Sequence, residues 1–183
     1  MNKIRSFSSA CSMLLIVTSL MMQAPQTIAQ AADASTPSIS ARLRTLEDRE
    51  AIRALLHRYI ELNESRDWRS YSQLFADDGE LVMSTQTLTG PEAIYTLLEG
   101  SFSKDSIGPD HFLYHASHLL TNIEISVTGD TATATSRWSL LIPGADGGNP
   151  QVMQAGKYRD SLVRVGNEWK FKQRAIVTDL PAP

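Results

Sequence analysis

HLLTNIEISVTGDTATATSRWSLLI, residues 118–142, is the stretch on which the fold turns. From Leu119 to Thr128 the apolar residues Ile123, Ile125 and Val127 fall on alternate positions, the two-residue period of a strand with one buried face. Gly129-Asp130 supplies the turn, and Thr131 to Ile142 is rich in β-formers, so the stretch predicts an antiparallel hairpin. Downstream, Pro143 to Pro150 is a loop of Gly, Pro, Asp and Asn. It is followed by a strand over Val152–Val165, a Gly166-Asn167 turn and a strand over Glu168–Thr178.

Upstream the period changes. In TLEDREAIRALLHRYIELN, from Thr45, the positions Ile52, Leu55, Leu56, Tyr59 and Ile60 recur at helical spacing. Thr45 with Asp48 forms a variant capping box at its start. A second short helix is expected over Asp67–Phe75, then a turn at Asp77-Asp78-Gly79 and a strand over Glu80–Ser84. Gly90-Pro91-Glu92 opens a third helix, because proline suits the first turn, where its missing N–H costs nothing. That helix runs to about Phe102, and Ser103–Pro109 is a loop. About three helices followed by four antiparallel strands is an α+β pattern, with the helices on one face of a sheet.

The composition is that of an ordinary globular chain of 183 residues with a formal net charge of −3. This balance leaves no electrostatic footprint for nucleic acid. The N-terminus reads as a targeting segment: two cations in Met1–Arg5, an apolar stretch over Ala10–Met22, and the small residues Ala29-Gln30-Ala31. The apolar stretch is too short for a membrane span, which takes about 20 residues. Residues 1–31 are therefore expected to be a signal peptide, residues 32–44 a flexible tether and residues 45–180 a single domain. The protein is expected to be exported, periplasmic or secreted, with no stable membrane span after cleavage. Cleavage removes Cys11, the one cysteine, so disulfide scaffolding and thiol catalysis drop out.

The runs AIRALLHRYIELNESRDW (51–68), LFADD (74–78), GPEAI (90–94), HLLTNIEISVTGD (118–130) and GKYRDSLVRVGNEWKFKQRAI (156–176) resemble the SnoaL-like proteins of the nuclear transport factor 2-like superfamily. The resemblance spans Leu46 to Thr178 and is nearest the branch of scytalone dehydratase and hexachlorocyclohexane dehydrochlorinase. It implies a cone-shaped α+β fold, with the helices on a curved, mainly antiparallel sheet that encloses an apolar pocket. In that branch a His takes a proton from substrate carbon and a carboxylate orients it. The matching positions are His118, through its spacing to Thr121 and Asn122, and Glu64, where the family usually has Asp. Arg174 matches an arginine that lines the dehydrochlorinase pocket.

The chemistry of this pair follows from its groups. A neutral imidazole accepts a proton near physiological pH, and a carboxylate on its other nitrogen fixes the tautomer and stabilises the imidazolium. That carboxylate is expected to raise the imidazole pKa. Asn122 and Arg174 present donors that suit a carbonyl, hydroxyl or leaving group. Tyr158, which alternates onto one face with Asp160, is a candidate cavity wall. No cofactor is required and no metal-ligand spacing is present. Two features of the pattern oppose the pair. Helical periodicity puts Asn63 at the centre of the buried face and Glu64 at its margin. Strict alternation puts His118 opposite Ile123, Ile125 and Val127, unless a β-bulge near Thr121 reverses the side.

Two functions remain open on these residues. One is a cofactor-independent lyase or isomerase acting on a small apolar or cyclic organic ligand. The other is a non-catalytic ligand-binding or assembly module of the same fold. A homo-oligomer, dimer or trimer, is expected through an uncovered sheet face, with the Thr131–Thr135 stripe beside Ala132 and Ala134 as the candidate contact.

Overall fold

The computed structural model describes residues 37–111, 113–144 and 148–180. The signal peptide and residues 32–36 of the tether lie outside the described residues. Among the described residues, three helices and six strands follow in the order α1 (Ile39–Ser65), α2 (Trp68–Ser72), β1 (Phe75–Val82), β2 (Thr87–Thr89), α3 (Pro91–Phe102), β3 (Ser117–Thr128), β4 (Thr131–Ile142), β5 (Gln151–Val165) and β6 (Glu168–Leu180). The strands form one sheet in the order β2-β1-β6-β5-β4-β3. Every pairing is antiparallel except β1 with β6, which is parallel. The sheet is open and curved, and the helices pack on its inner face. No helix among the described residues is long and apolar enough to cross a membrane.

Helix α1 starts earlier than the capping-box reading places it. Residues 39–44, assigned above to the tether, are helical, and the Thr45 hydroxyl donates back to the Ala41 carbonyl instead of capping an N-terminus. Ala41, Arg42, Leu43 and Arg44 are strong helix formers, so nothing stops the helix at Thr45. Its far end is a Schellman motif. Arg66 adopts φ 54°, its N–H bonds the Asn63 carbonyl, and the Asp67 N–H bonds the Leu62 carbonyl. Asp67 then caps α2 by accepting from the Ser70 N–H.

Asp77-Asp78-Gly79, expected as a turn, lies inside β1 as an irregularity. Between the pairs Phe75↔Phe171 and Glu80↔Gln173, β1 carries three more residues than β6. Gly79 is there because a Cβ would sit 2.6 Å from the Phe171 carbonyl oxygen.

Two of the single-residue bulges in the sheet decide that His118 and Arg174 face inward. In β3, Thr121 pairs with Arg137 but Glu124 pairs with Thr135, so one residue is extra. Asn122 takes it up at φ 51°, a left-handed conformation that Asn tolerates better than most residues. The extra residue inverts the alternation. His118 and Leu120, opposite the buried Leu140 and Trp138, therefore share the inner face with Ile123, Ile125 and Val127. In β6 the bulge falls at Lys172, between Phe171↔Leu162 and Gln173↔Ser161, and it turns Arg174 inward after Trp169 and Phe171.

The core lies between this inner face and the helices. Ile52, Leu56 and Tyr59 of α1 and Ile94 of α3 are buried with Phe75, Leu81, Leu162 and Phe171 of the sheet. The proposed contact stripe divides between the two faces. Ala132 and Ala134 are buried inside, whereas Thr131, Thr133 and Thr135 are exposed outside.

Candidate functional site

A cavity of about 300 Å³ opens between the C-terminal end of α1, α3, the 103–116 segment and the inner face of the sheet. Most of its wall is apolar, from Trp68, Leu98, Phe102, Ile107, Leu140 and Met153 among others. The polar side chains on it are few: Tyr59, Asn63, Glu64, Arg66, Tyr71, His118, Gln154 and Tyr158, with the Trp138 indole. Among the described residues, no group of three His, Cys, Asp or Glu side chains is placed to hold a metal ion.

His118 reaches this wall because of the Asn122 bulge, and its side chain is only 17% exposed. Burial pushes the imidazole pKa below its ordinary value, and the nearby Glu64 charge pulls the other way without overcoming it. This corrects the expected upward shift. The ring is thus neutral at physiological pH, and Nδ1 is buried with no hydrogen-bond partner among the described residues.

Glu64, in the last turn of α1, does reach β3, but chiefly for its backbone. Its Oε1 accepts the His118 N–H at 2.6 Å and the Ser117 hydroxyl at 3.2 Å. The same oxygen lies 4.0 Å from His118 Nδ1, beyond hydrogen-bond length. The two residues are neighbours in the cavity without the orienting bond.

Arg174 and Asn122 are not on the cavity wall. Arg174 is fully buried on the inner face directly across from Asp160, with Nε 3.1 Å from Oδ1 and Nη2 3.2 Å from Oδ2. Its guanidinium is packed against the rings of Tyr59, Tyr158 and Phe171, at 3.9, 4.0 and 4.5 Å from their centroids. Arg174 therefore supports two tyrosines of the wall from behind. Burial pushes the Asp160 carboxyl up to about 6, with the Arg174 charge opposing it. Asn122 is exposed, and its contribution is the backbone conformation of the bulge.

Tyr158 does line the cavity, with Tyr59 and Tyr71 beside it. Desolvation raises all three phenol pKa values, so they stay protonated and can donate. Trp138 stacks on Tyr158, and its buried indole N–H has no partner among the described residues. Arg66 and Gln154 were not singled out from the sequence, and Trp138 reads there first as a packing residue, with pocket-lining second. Trp138 carries a usable signal, because it shares the buried parity of β4 with Ala132, Ala134 and Ser136.

Comparison with known proteins places this geometry in a family. A model of the SnoaL-like domain matches residues 44–175. Among solved structures, the chain is similar to an NTF2-like protein with a cystatin-like fold from Novosphingobium aromaticivorans. That pair shares 29% identity and a TM-score of 0.67, covering 77% of this chain and 88% of the other. A second protein of that organism, provisionally named a scytalone dehydratase, aligns at 24% identity and TM-score 0.60, covering 74% of this chain and 87% of its own. ActVI-ORFA from Streptomyces coelicolor aligns at 22% identity and TM-score 0.61, covering 75% and 99%. Among curated proteins, no sequence matches this chain significantly.

Proposed function

The chain belongs to the SnoaL-like domain family, and from that premise we propose that it is a cofactor-independent lyase or isomerase for a small, largely apolar cyclic compound. The observation that supports this best is the state of His118: a buried, neutral imidazole on an apolar wall, with an unpartnered nitrogen and a carboxylate beside it. A neutral imidazole accepts a proton, and the apolar wall brings an apolar substrate carbon against it.

In the proposed step Nε2 of His118 takes a proton from substrate carbon, which leaves Nδ1, the nitrogen beside Glu64, to the carboxylate. The C–H electron pair forms a double bond to the neighbouring carbon, whose bond to hydroxyl or halide breaks, and the leaving group departs with the electron pair of that broken bond. The imidazolium returns its proton to a leaving hydroxide, or to solvent when halide leaves. The positive ring is stabilised by Glu64, whose oxygen is 4.0 Å away and needs a small side-chain rotation to bond it. The polar clamp assigned above to Asn122 and Arg174 passes to Tyr158 and the Trp138 indole, both donors on the wall. Arg174 acts behind them as a positioning residue. The N-terminal segment supports export, with residues 1–31 removed on the way to the periplasm or medium. The exposed outer sheet face supports a dimer or trimer.

The test is elimination from hydroxylated or halogenated cyclic compounds, screened for turnover. On any substrate found, His118→Ala is expected to lower kcat/KM by about 10²–10⁴-fold. Retention of the full rate by that variant overturns the proposal. One observation favours the second reading, a ligand-binding module: Glu64 Oε1 is committed to the His118 backbone N–H. Cyclic compounds that bind in the cavity but are never turned over would establish that reading.

A further inference from the structure

Among the side chains of the cavity wall, Arg66 is the one permanent cation and Glu64 the one carboxylate. Glu64 is occupied by the His118 N–H and the Ser117 hydroxyl. Arg66 is not neutralised: no carboxylate among the described residues lies within ion-pair distance of it. One arm of its guanidinium, Nη2, donates to the Leu113 carbonyl at 2.8 Å, and the group sits 5.8 Å from the centroid of the Tyr114 ring. Its backbone is set by the Schellman turn at the end of α1. The side chain is half-buried, tethered at one nitrogen and part of the cavity wall. A shallower recess beside the mouth shares Glu64, Arg66 and Ile107 with the cavity and adds Lys104. The charged side chains lining the cavity and this recess are Arg66, Lys104 and Glu64, and Lys104 faces the charge of Asp67. The neighbouring Asp67 is turned to α2, where it caps Ser70.

A half-buried arginine with no carboxylate partner keeps donors free for an anionic group of a ligand. An apolar cavity with one such group at its mouth suits an amphiphilic ligand whose ring sits inside and whose anion stays at the rim. We infer that Arg66 selects substrates carrying a carboxylate or comparable anionic substituent on the apolar ring system, and holds that anion at the mouth. This deepens the proposed function and rests on the cavity being its substrate site. Guanidinium offers a planar fork of donors to a carboxylate, which ammonium does not.

The test uses 2-naphthoate and its neutral isostere 2-naphthamide as probes on the full chain, with binding read by calorimetry and by the fluorescence of Trp68 and Trp138 on the wall. The unaltered protein is expected to bind naphthoate more tightly than naphthamide, by about ten- to a hundred-fold at low ionic strength, shrinking with added salt. Arg66→Gln is expected to remove that preference while leaving naphthamide binding unchanged, and Arg66→Lys to restore part of it. Equal binding of the two probes by the unaltered protein overturns the inference. So does a parallel loss of both probes in Arg66→Gln and Arg66→Lys, which would make Arg66 only a tether for the 103–116 segment. Binding of neither probe overturns this inference and the cavity reading together. Persistence of the anion preference with full turnover by His118→Ala upholds this inference and removes only the assignment of the base.

Discussion

Replacing Asn122 with Val tests the feature on which the site depends. Asn122 is exposed and occupies φ 51°, so its substitution removes no core contact and acts through backbone conformation alone. A left-handed residue other than Gly costs roughly 1–2 kcal/mol, least for Asn and most for β-branched side chains. Asn122→Val is therefore expected to destabilise the native state by about 1–2 kcal/mol. Asn122→Gly should lie within about 0.5–1 kcal/mol of the parent, because relief of strain offsets the greater freedom of the unfolded chain. Urea denaturation reads both values as shifts of midpoint at constant slope. Titration of the His118 imidazole by NMR reads the local consequence. In the bulged strand the ring is buried and its pKa depressed. A strand that shifts to regular alternation turns it outward and returns it towards about 6.5. Valine at 122 should raise the His118 pKa, and glycine should not. A valine variant as stable as the parent, with an unmoved imidazole titration, would refute the argument that this residue sets the facing of His118.

Three further outcomes follow from buried groups. Arg174→Met leaves the Asp160 carboxylate buried without its partner and should cost about 3–5 kcal/mol, whereas Arg174→Met with Asp160→Leu should recover most of that loss in a denaturation cycle. Asp160 binds its proton more readily folded, at about 6, than unfolded, near 3.8, so it contributes stability as pH falls through 6 and withdraws it as pH rises. The effect amounts to at most about 3 kcal/mol. His118, with its pKa lowered on folding, acts in the opposite sense below its ordinary value. The gain is therefore read as the difference in pH slope between the parent and Asp160→Asn, and parallel slopes would exclude it. Gly79→Ala drives a Cβ to 2.6 Å from the Phe171 carbonyl and 2.9 Å from Ala76 backbone atoms. Thermal unfolding should show a loss of about 1–3 kcal/mol.

The fold was legible where one periodicity runs unbroken. The alternation of Ile123, Ile125 and Val127, the Gly129-Asp130 turn and the Ile52–Tyr59 stripe each appear where they are expected. What the sequence left open at His118, naming a bulge near Thr121 as the alternative, and missed at Arg174 is parity. A bulge adds one residue within a polar run, here Thr121-Asn122 or Lys172-Gln173, and leaves no mark in the hydrophobic pattern. By strict alternation Arg174 points away from Trp169 and Phe171, and His118 away from Ile125. Both are reversed by the extra residue. The cavity wall was hidden for another reason. Trp138, Leu140 and Met153 have the side chains of ordinary core residues, and only the helices' failure to reach them makes a wall of them.

The end of α1 joins these strands of argument. Helical periodicity carries Glu64 to the margin of the buried face, and the helix remains regular as far as Ser65. The Schellman turn then reverses the chain in two residues and sends successive side chains to different targets. Glu64 reaches the start of β3, Arg66 the 103–116 segment and Asp67 the first turn of α2. The last turn of the helix thereby places a carboxylate beside His118, and the left-handed Arg66 after it places a cation on the cavity wall. The same arrangement limits the imidazole. Burial depresses its pKa, and the nearby carboxylate, whose closest oxygen accepts the backbone N–H and not the ring, does not overcome it. A substrate that bears its own anion at Arg66 would bring a second negative charge towards the imidazole, favouring the protonated ring when proton transfer requires it. The cation at the rim and the base on the wall are in this sense coupled through the ligand that spans them.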